Sequence, residues 1–208
     1  MPKSAAAFWD KIAVKYAKRP IDDETSYQRK LEMTQERFRP DMQIFEYGCG
    51  TGSTALTHAP HVQHILATDI APSMIEIARE KAIEQGVTNV TFEVGTLEDT
   101  AQKGGQFDMV LGLNILHLLE DPKSAIKSSF DLLKPGGYFM SSSGCLKEFP
   151  LLMRIAIPIA QTLGAAPFIK FFSRAELEKD MVEAGFELED TFQPAKDKAV
   201  FIVARKPV

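Results

Sequence analysis

Glu46, three glycines on alternate positions (Gly48, Gly50 and Gly52) and Asp69 are the residues whose types and spacing could do chemistry. Cys49 and Thr51 separate the glycines, and Ser53 and Thr54 follow them. A main chain bare of side chains can take positive φ and lets a ligand come close. If a helix starts just beyond it, free N–H groups and the positive end of the helix dipole face that ligand. Glu46, just before the turn, is a poor neighbour for phosphate and a good acceptor for an ammonium or a hydroxyl. Asp69 lies seventeen residues past Gly52, a spacing that returns a βαβ unit beside its own first turn, where an acid can accept both ribose hydroxyls of a nucleoside. Asp69 also has a purely structural reading, as a strand-end acid capping the next helix, because Pro72 suits a first helical position.

These residues need a scaffold, and the chain supplies one in alternation. The apolar run Met42 to Phe45 reads as a buried strand, and the residues around Ala55 and Leu56 as a helix of about ten residues. A second strand is expected at His64 to Thr68, a helix at Pro72 to Gln85 with Gly86 just past its end, and a third strand at Val90 to Val94. Phe107 to Leu111 is near-continuously apolar, as in a parallel strand buried on both faces. A helix from Pro122 to Leu133 leads into a turn, Leu133-Lys134-Pro135-Gly136-Gly137, and then a strand from Tyr138 to Ser142. Ser173 and Glu176 form a capping box for a helix that stops at Gly185. Phe186 to Glu189 and Val200 to Val203 then read as an antiparallel hairpin at the sheet edge. At the other end of the chain, Phe8, Ile12 and Tyr16 recur at helical spacing. A second helix is expected from Asp23, a capping residue, to Phe38, before Pro40.

Bulk properties narrow the class. A chain of 208 residues, 45% hydrophobic and 25% charged, fits a single globular domain. Its net charge of -4 argues against nucleic acid as a partner. Two cysteines, Cys49 and Cys145, form neither a disulfide framework nor a metal-ligand cluster, so a reducing cytoplasm is the expected home and no metal is expected. No export signal is read at the N-terminus. Residues 149–172 stand apart, with Arg154 and Lys170 their only basic residues between Phe149 and Phe172 and with Pro158, Gly164 and Pro167 interrupting them. The uncharged run is too short to span a bilayer. Three readings are open: buried core or dimer contact, a lid over a lipophilic pocket, or an interfacial membrane foot.

The pattern Glu-x-Gly-x-Gly-x-Gly from Glu46 to Gly52, followed by Asp69, resembles motif I and the ribose-binding acid of class I S-adenosylmethionine methyltransferases of the small-molecule type. The resemblance covers Asp41 to Val208 and implies an α/β, three-layer sandwich. Its sheet would be seven-stranded and mostly parallel, Rossmann-like, with the last strand inserted antiparallel. The whole chain, 1–208, would be one domain, with 1–40 a helical lid and 149–172 an insertion over the acceptor site. The implied cofactor is S-adenosyl-L-methionine, leaving S-adenosyl-L-homocysteine as product, and the partner is a small-molecule acceptor, on a monomer or homodimer.

By the same resemblance, Glu46 and Asp69 hold the two ends of the cofactor, and the backbone from Gly48 through Cys49, Gly50 and Thr51 to Gly52 approaches it. Ile70 and Met74 wall the adenine. In the loop Gly95-Thr96-Leu97-Glu98-Asp99 the family usually has an acid where Thr96 stands. Leu97 can still offer its N–H, and Glu98 or Asp99 can supply the acceptor. The exit of the fourth strand, with Leu113, Asn114 and His117, matches motif IV. Asn114 and His117 are the residues that could touch the acceptor, with neutral His117 as the one candidate base. No Asn-Pro-Pro-Tyr follows, so the nucleic-acid amino-methyltransferase signature is absent. Tyr16 and Tyr27 are lid aromatics to test, and Cys145 is not expected to act as a nucleophile. Two other readings stand beside this one. A non-catalytic S-adenosylmethionine-binding protein fits the altered adenine loop. An NAD-dependent oxidoreductase is disfavoured by Ser53 at the third dinucleotide glycine and by the lack of a Tyr-x-x-x-Lys pair.

Overall fold

The computed structural model describes residues 3–162 and 166–208. Seven strands form one sheet in the order β3-β2-β1-β4-β5-β7-β6. They are β1 (Gln43–Tyr47), β2 (His64–Asp69), β3 (Val90–Val94), β4 (Phe107–Leu113), β5 (Leu133–Ser143), β6 (Glu187–Phe192) and β7 (Val200–Arg205). Strands β1 to β5 pair in parallel, whereas β7 lies antiparallel between β5 and β6. The order reverses at β1, between β2 and β4, which opens a crevice at the carboxyl ends of those strands.

Helices cover both faces, and the period-2 alternation of each strand decides which residue meets which layer. Ile44, Ile65, Met109, Leu111 and Met140 pack with residues of α2 (Glu24–Gln35), α3 (Ser53–His58) and α4 (Pro72–Gln85). Phe45, Val110 and Phe139 face the opposite layer, built from α5 (Leu97–Lys103), α6 (Pro122–Leu132) and α8 (Arg174–Ala184). Helix α1 (Lys3–Ala17) lies outside this sandwich, with Ala13 packed on Ala71, the residue before α4, and on Met74 of α4. Asp10 of α1 accepts the Ser73 N–H at 2.8 Å, satisfying one free donor in the first turn of α4.

Several boundaries differ from those the sequence predicts. The helix after the glycine turn has six residues rather than about ten, because Pro60 closes it into a 3-10 turn, Ala59–His61. Helix α2 stops at Gln35, short of Phe38; Asp23 caps its start by accepting the Ser26 N–H at 3.0 Å. The stretch Leu133–Gly137 is not a turn before a strand but part of β5. Leu133 pairs with Phe107 and Tyr138 with Met109, so the residues between them bulge out of the ladder. Gly136, at φ +76°, turns there, and its N–H donates to the Lys206 carbonyl at 2.9 Å.

The apolar insertion forms α7 (Leu151–Thr162), with Pro158 inside it and no buried residue. That removes the reading of these residues as core of this chain, since Leu152 is 79% exposed and Ile155 54%. The chain beyond it returns to the body: Lys170 N–H donates to the His117 carbonyl at 2.7 Å, and Phe172 is buried. Gly164 lies outside the described residues. No helix among the described residues is long and apolar enough to cross a membrane.

Gly52 is set by packing. Its φ is +72°, and a methyl there would fall 2.7 Å from the Phe92 ring and 2.8 Å from Ala78 Cβ. Gly52→Ala is therefore expected to cost about 2–4 kcal/mol, from left-handed backbone strain plus overpacking. Urea unfolding of both proteins checks it; a variant as stable as the parent shows that Phe92 moves aside freely.

Candidate functional site

The crevice at the switch point is floored by the loop between β1 and α3. Gly48, Gly50 and Gly52 have φ of +66°, +54° and +72°, so the backbone winds through a conformation that residues with a Cβ rarely adopt. Each glycine answers a different neighbour. A Cβ on Gly48 would strike the Ile115 side chain at 2.7 Å, and one on Gly52 would enter the core. A Cβ on Gly50 would point at the Tyr16 ring, 3.7 Å away across the crevice. Lys81 of α4 fixes the turn from behind, donating to the Thr51 carbonyl at 3.2 Å and to Thr51 Oγ1 at 2.9 Å. Thr51 and Gly52 thus shape the loop from its core side and do not line the crevice.

The two acids enter from adjacent strands. Glu46 pairs in register with Ala67 of β2, and Asp69 is the last residue of that strand. Asp69 braces the glycine turn: its Oδ2 accepts the Gly50 N–H at 2.9 Å and its Oδ1 the Ala71 N–H at 2.9 Å. Burial raises its carboxyl above the usual range, against the pull of those backbone donors. Glu46 is 3% exposed, and its Oε2 has no hydrogen-bond partner among the described residues. Burial, reinforced by the Asp69 charge, pushes its carboxyl from 4.5 up to about 8. The Cys49 thiol is raised well above its ordinary value by burial and by Glu46 and Asp69, so it stays protonated.

Among the described residues lining the crevice, three are acids (Glu46, Asp69 and Glu98) and none is basic. A buried carboxylate without a counter-ion is costly, so a cation in this space gains what the folded chain lacks. Ile70 and Met74 form one apolar wall, and Leu113 and Asn114 stand at the end of β4. Thr96 and Leu97 close the third side. Here the structure sorts the loop acids. Asp99 is used locally, its Oδ2 accepting Thr96 N–H and Oγ1 at 2.9 Å in a capping box of α5. Glu98 remains free to face the crevice.

Helix α1 contributes Tyr16 together with Ala5 and Trp9, which sequence reasoning did not single out as site residues. Trp9 stands edge-on to Tyr16 at a ring separation of 6.1 Å. Their seven-residue spacing, two helical turns, was the available signal. Tyr27 does not line the crevice; its hydroxyl lies 3.5 Å from Thr54 Oγ1, whose residue does. His117 is also off the lining. Its Nδ1 accepts the Gly144 N–H at 3.4 Å, and burial lowers its pKa to about 4. The ring is therefore neutral with its proton on Nε2, a donor rather than a base toward any group facing that nitrogen. Asn114 holds φ +56° while donating its N–H to the Ser142 carbonyl at 2.7 Å. Asparagine tolerates this region better than most residues with a Cβ.

Comparison with known proteins agrees with this geometry. The methyltransferase-domain family model matches residues 38–190. A ubiquinone biosynthesis O-methyltransferase from Xanthomonas axonopodis pv. citri is 30% identical over 182 residues, 82% of this chain and 75% of that one. A solved S-adenosylmethionine-dependent methyltransferase from Thermotoga maritima, described as a possible histamine N-methyltransferase, superposes with a TM-score of 0.71 at 23% identity, over 96% of this chain and 99% of that one. The YcgJ protein from Bacillus subtilis superposes with a TM-score of 0.72 at 19% identity, over 87% and 99% of the two chains. At those identities the superpositions speak for the fold alone.

Proposed function

The chain belongs to the S-adenosylmethionine-dependent methyltransferases, and from that premise we propose that it methylates a phenolic oxygen of a small, lipophilic molecule in the cytoplasm. The observation that carries the cofactor assignment is the pair of raised acids in a crevice with no basic side chain among the described residues that line it. A dinucleotide pyrophosphate would be repelled there, whereas a molecule with an ammonium and a sulfonium is attracted.

In this reading Asp69 accepts the ribose hydroxyls while bracing Gly50, and Glu46 faces the cationic amino-acid end. Gly48 and Gly50, bare of side chains, let the backbone come close to the ligand between them. Ile70 and Met74 flank the base, Leu97 N–H and Glu98 meet its edge, and Tyr16 and Trp9 cover the turn. S-adenosylmethionine supplies a methyl group already activated by its sulfonium. What remains for the protein is to align the acceptor and keep water out. His117 takes no proton; it holds Gly144, and its carbonyl anchors the chain that follows α7. The oxygen acceptor is taken from relatives named ubiquinone biosynthesis O-methyltransferases; that the oxygen is phenolic is our choice, because the hydroxyl of a hydroquinone is a phenol.

The reading is tested in two steps. Titration calorimetry with S-adenosylmethionine, S-adenosylhomocysteine and NAD should give binding of the first two and none of the third. A methyl-transfer screen across phenols, quinones, amines and lipids should then give turnover on phenols. Turnover confined to amines overturns the acceptor class, and NAD binding overturns the cofactor.

A further inference from the structure

Asn114, on the crevice wall, ends a chain of polar side chains that starts outside the crevice. Lys30, on the face of α2 turned to the sheet, is only half exposed, and its Nζ donates to Ser142 Oγ at 3.3 Å. The Ser142 hydroxyl in turn donates to Asn114 Oδ1 at 3.2 Å, and Asn114 lines the crevice. Ser142 is 1% exposed at the carboxyl end of β5. Lys30, Ser142 and Asn114 thus form a chain of side chains leading from α2 to the mouth of β4.

An ammonium carries three donors, and one contact is accounted for here. No ion pair joins Lys30 to a carboxylate among the described residues, and the nearest acid acting on it, Asp23, is engaged as the cap of α2 through Ser26 N–H and Oγ. Burying part of a lysine without a counter-ion is unfavourable unless something anionic completes it. The site is therefore polarised: the acids Glu46 and Asp69 flank the glycine turn, which Lys81 holds from behind, and Lys30 stands on the side of Asn114, joined to it through Ser142. Asn114, kept at φ +56° by its two bonds to Ser142, gives that side a fixed polar edge.

We propose that Lys30, with Ser142 and Asn114, forms an acceptor subsite that selects molecules carrying a carboxylate. The inference rests on the methyltransferase reading only in that the acceptor would lie beside the donor methyl. The Lys30 ammonium meets the carboxylate, and Asn114 meets the neighbouring part of the molecule from the end of β4. A lysine that merely ties α2 to β5 would make the same bond to Ser142 but would confer no preference for charge.

The test uses the full-length protein saturated with S-adenosylhomocysteine, titrated calorimetrically with 4-hydroxybenzoate and with 4-hydroxybenzamide, its neutral counterpart. The carboxylate is expected to bind at least tenfold more tightly than the amide. That preference should fall below threefold in Lys30→Met, which keeps the length of the stem, and should be largely kept in Lys30→Arg. Affinity for S-adenosylhomocysteine and the melting temperature, measured on the same samples, report whether each variant is folded. Absence of a carboxylate preference in the parent protein, including failure of both compounds to bind, overturns the proposal, as does a preference that survives in Lys30→Met. If S-adenosylhomocysteine itself does not bind, the cofactor assignment fails; the same benzoate and benzamide titrations of the ligand-free protein then judge Lys30 separately.

Discussion

Glu46→Gln is expected to raise the melting temperature of the ligand-free protein at pH 9 while weakening S-adenosylmethionine binding by tenfold or more. The sign follows from the proton. Glu46 keeps its proton up to about 8 in the folded chain, against 4.5 for an ordinary glutamate. Between those values the folded state holds a proton that the unfolded state has released, so the Glu46 contribution to stability falls as pH rises through that window. Above about 8 the buried charge is present and the cost is complete. A displacement from 4.5 to about 8 corresponds to at most about 5 kcal/mol. The glutamine amide brings its own desolvation, so about 2–3 kcal/mol of relief is expected.

For a chain of this size that is a rise of roughly 5–10 °C. Near pH 5 the two proteins should melt together. Melting curves of both between pH 5 and 9 decide the matter; a gap that does not widen with pH means that Glu46 does not titrate in this range. Binding carries the opposite sign, because the ligand's cationic end needs the carboxylate ionised. Below about pH 8 S-adenosylmethionine should displace the Glu46 proton, so its apparent affinity should rise with pH. Calorimetry in two buffers of different ionisation enthalpy should show protons released by the parent and fewer by the glutamine variant.

Asp69→Ala should weaken S-adenosylhomocysteine binding by about 2–4 kcal/mol, or roughly 30- to 1000-fold. Two losses combine. The ribose hydroxyls lose a charged acceptor, and the turn loses the brace that Oδ2 gives Gly50 and Oδ1 gives Ala71. Asp69→Asn separates them, because one amide oxygen can still accept from one backbone donor while the charge is gone. It should fall between the parent and Asp69→Ala. An alanine variant that binds as the parent does would remove Asp69 from the ribose site and leave it as a cap for α4. Melting curves of the three proteins show whether the loss is local: with the turn merely loosened, the melting temperature should change by only a few degrees.

The two acids have different duties, which explains why both predictions are needed. Asp69 is partly satisfied by backbone donors and so holds the turn in shape before any ligand arrives. Glu46 Oε2 is satisfied by nothing among the described residues and represents stored cost. Function and stability pull apart at Glu46 and coincide at Asp69.

The glycine turn, its two acids and the strand-helix alternation were legible in the sequence because they are local. Periodicity fixes which residues a strand buries, and positive φ fixes where glycine must stand. The ends of α3 and β5 were less legible, since Pro60 and the bulge at Leu133–Gly137 act through neighbours on other elements. Within the glycine run, spacing could not tell which residue faces a ligand. Only packing shows Gly50 opposite Tyr16, Gly48 against Ile115, and Gly52 against Phe92 and Ala78. Likewise, Glu98 and Asp99 are equivalent as letters, and it is the capping of α5 by Asp99 that leaves Glu98 at the crevice. Lys30 was invisible for the same reason. Its meaning lies in Ser142, far along the chain and brought near only when α2 lies across β5. Chain order determines the pattern of each element; the contacts between elements far apart in sequence determine which side chain is free to act.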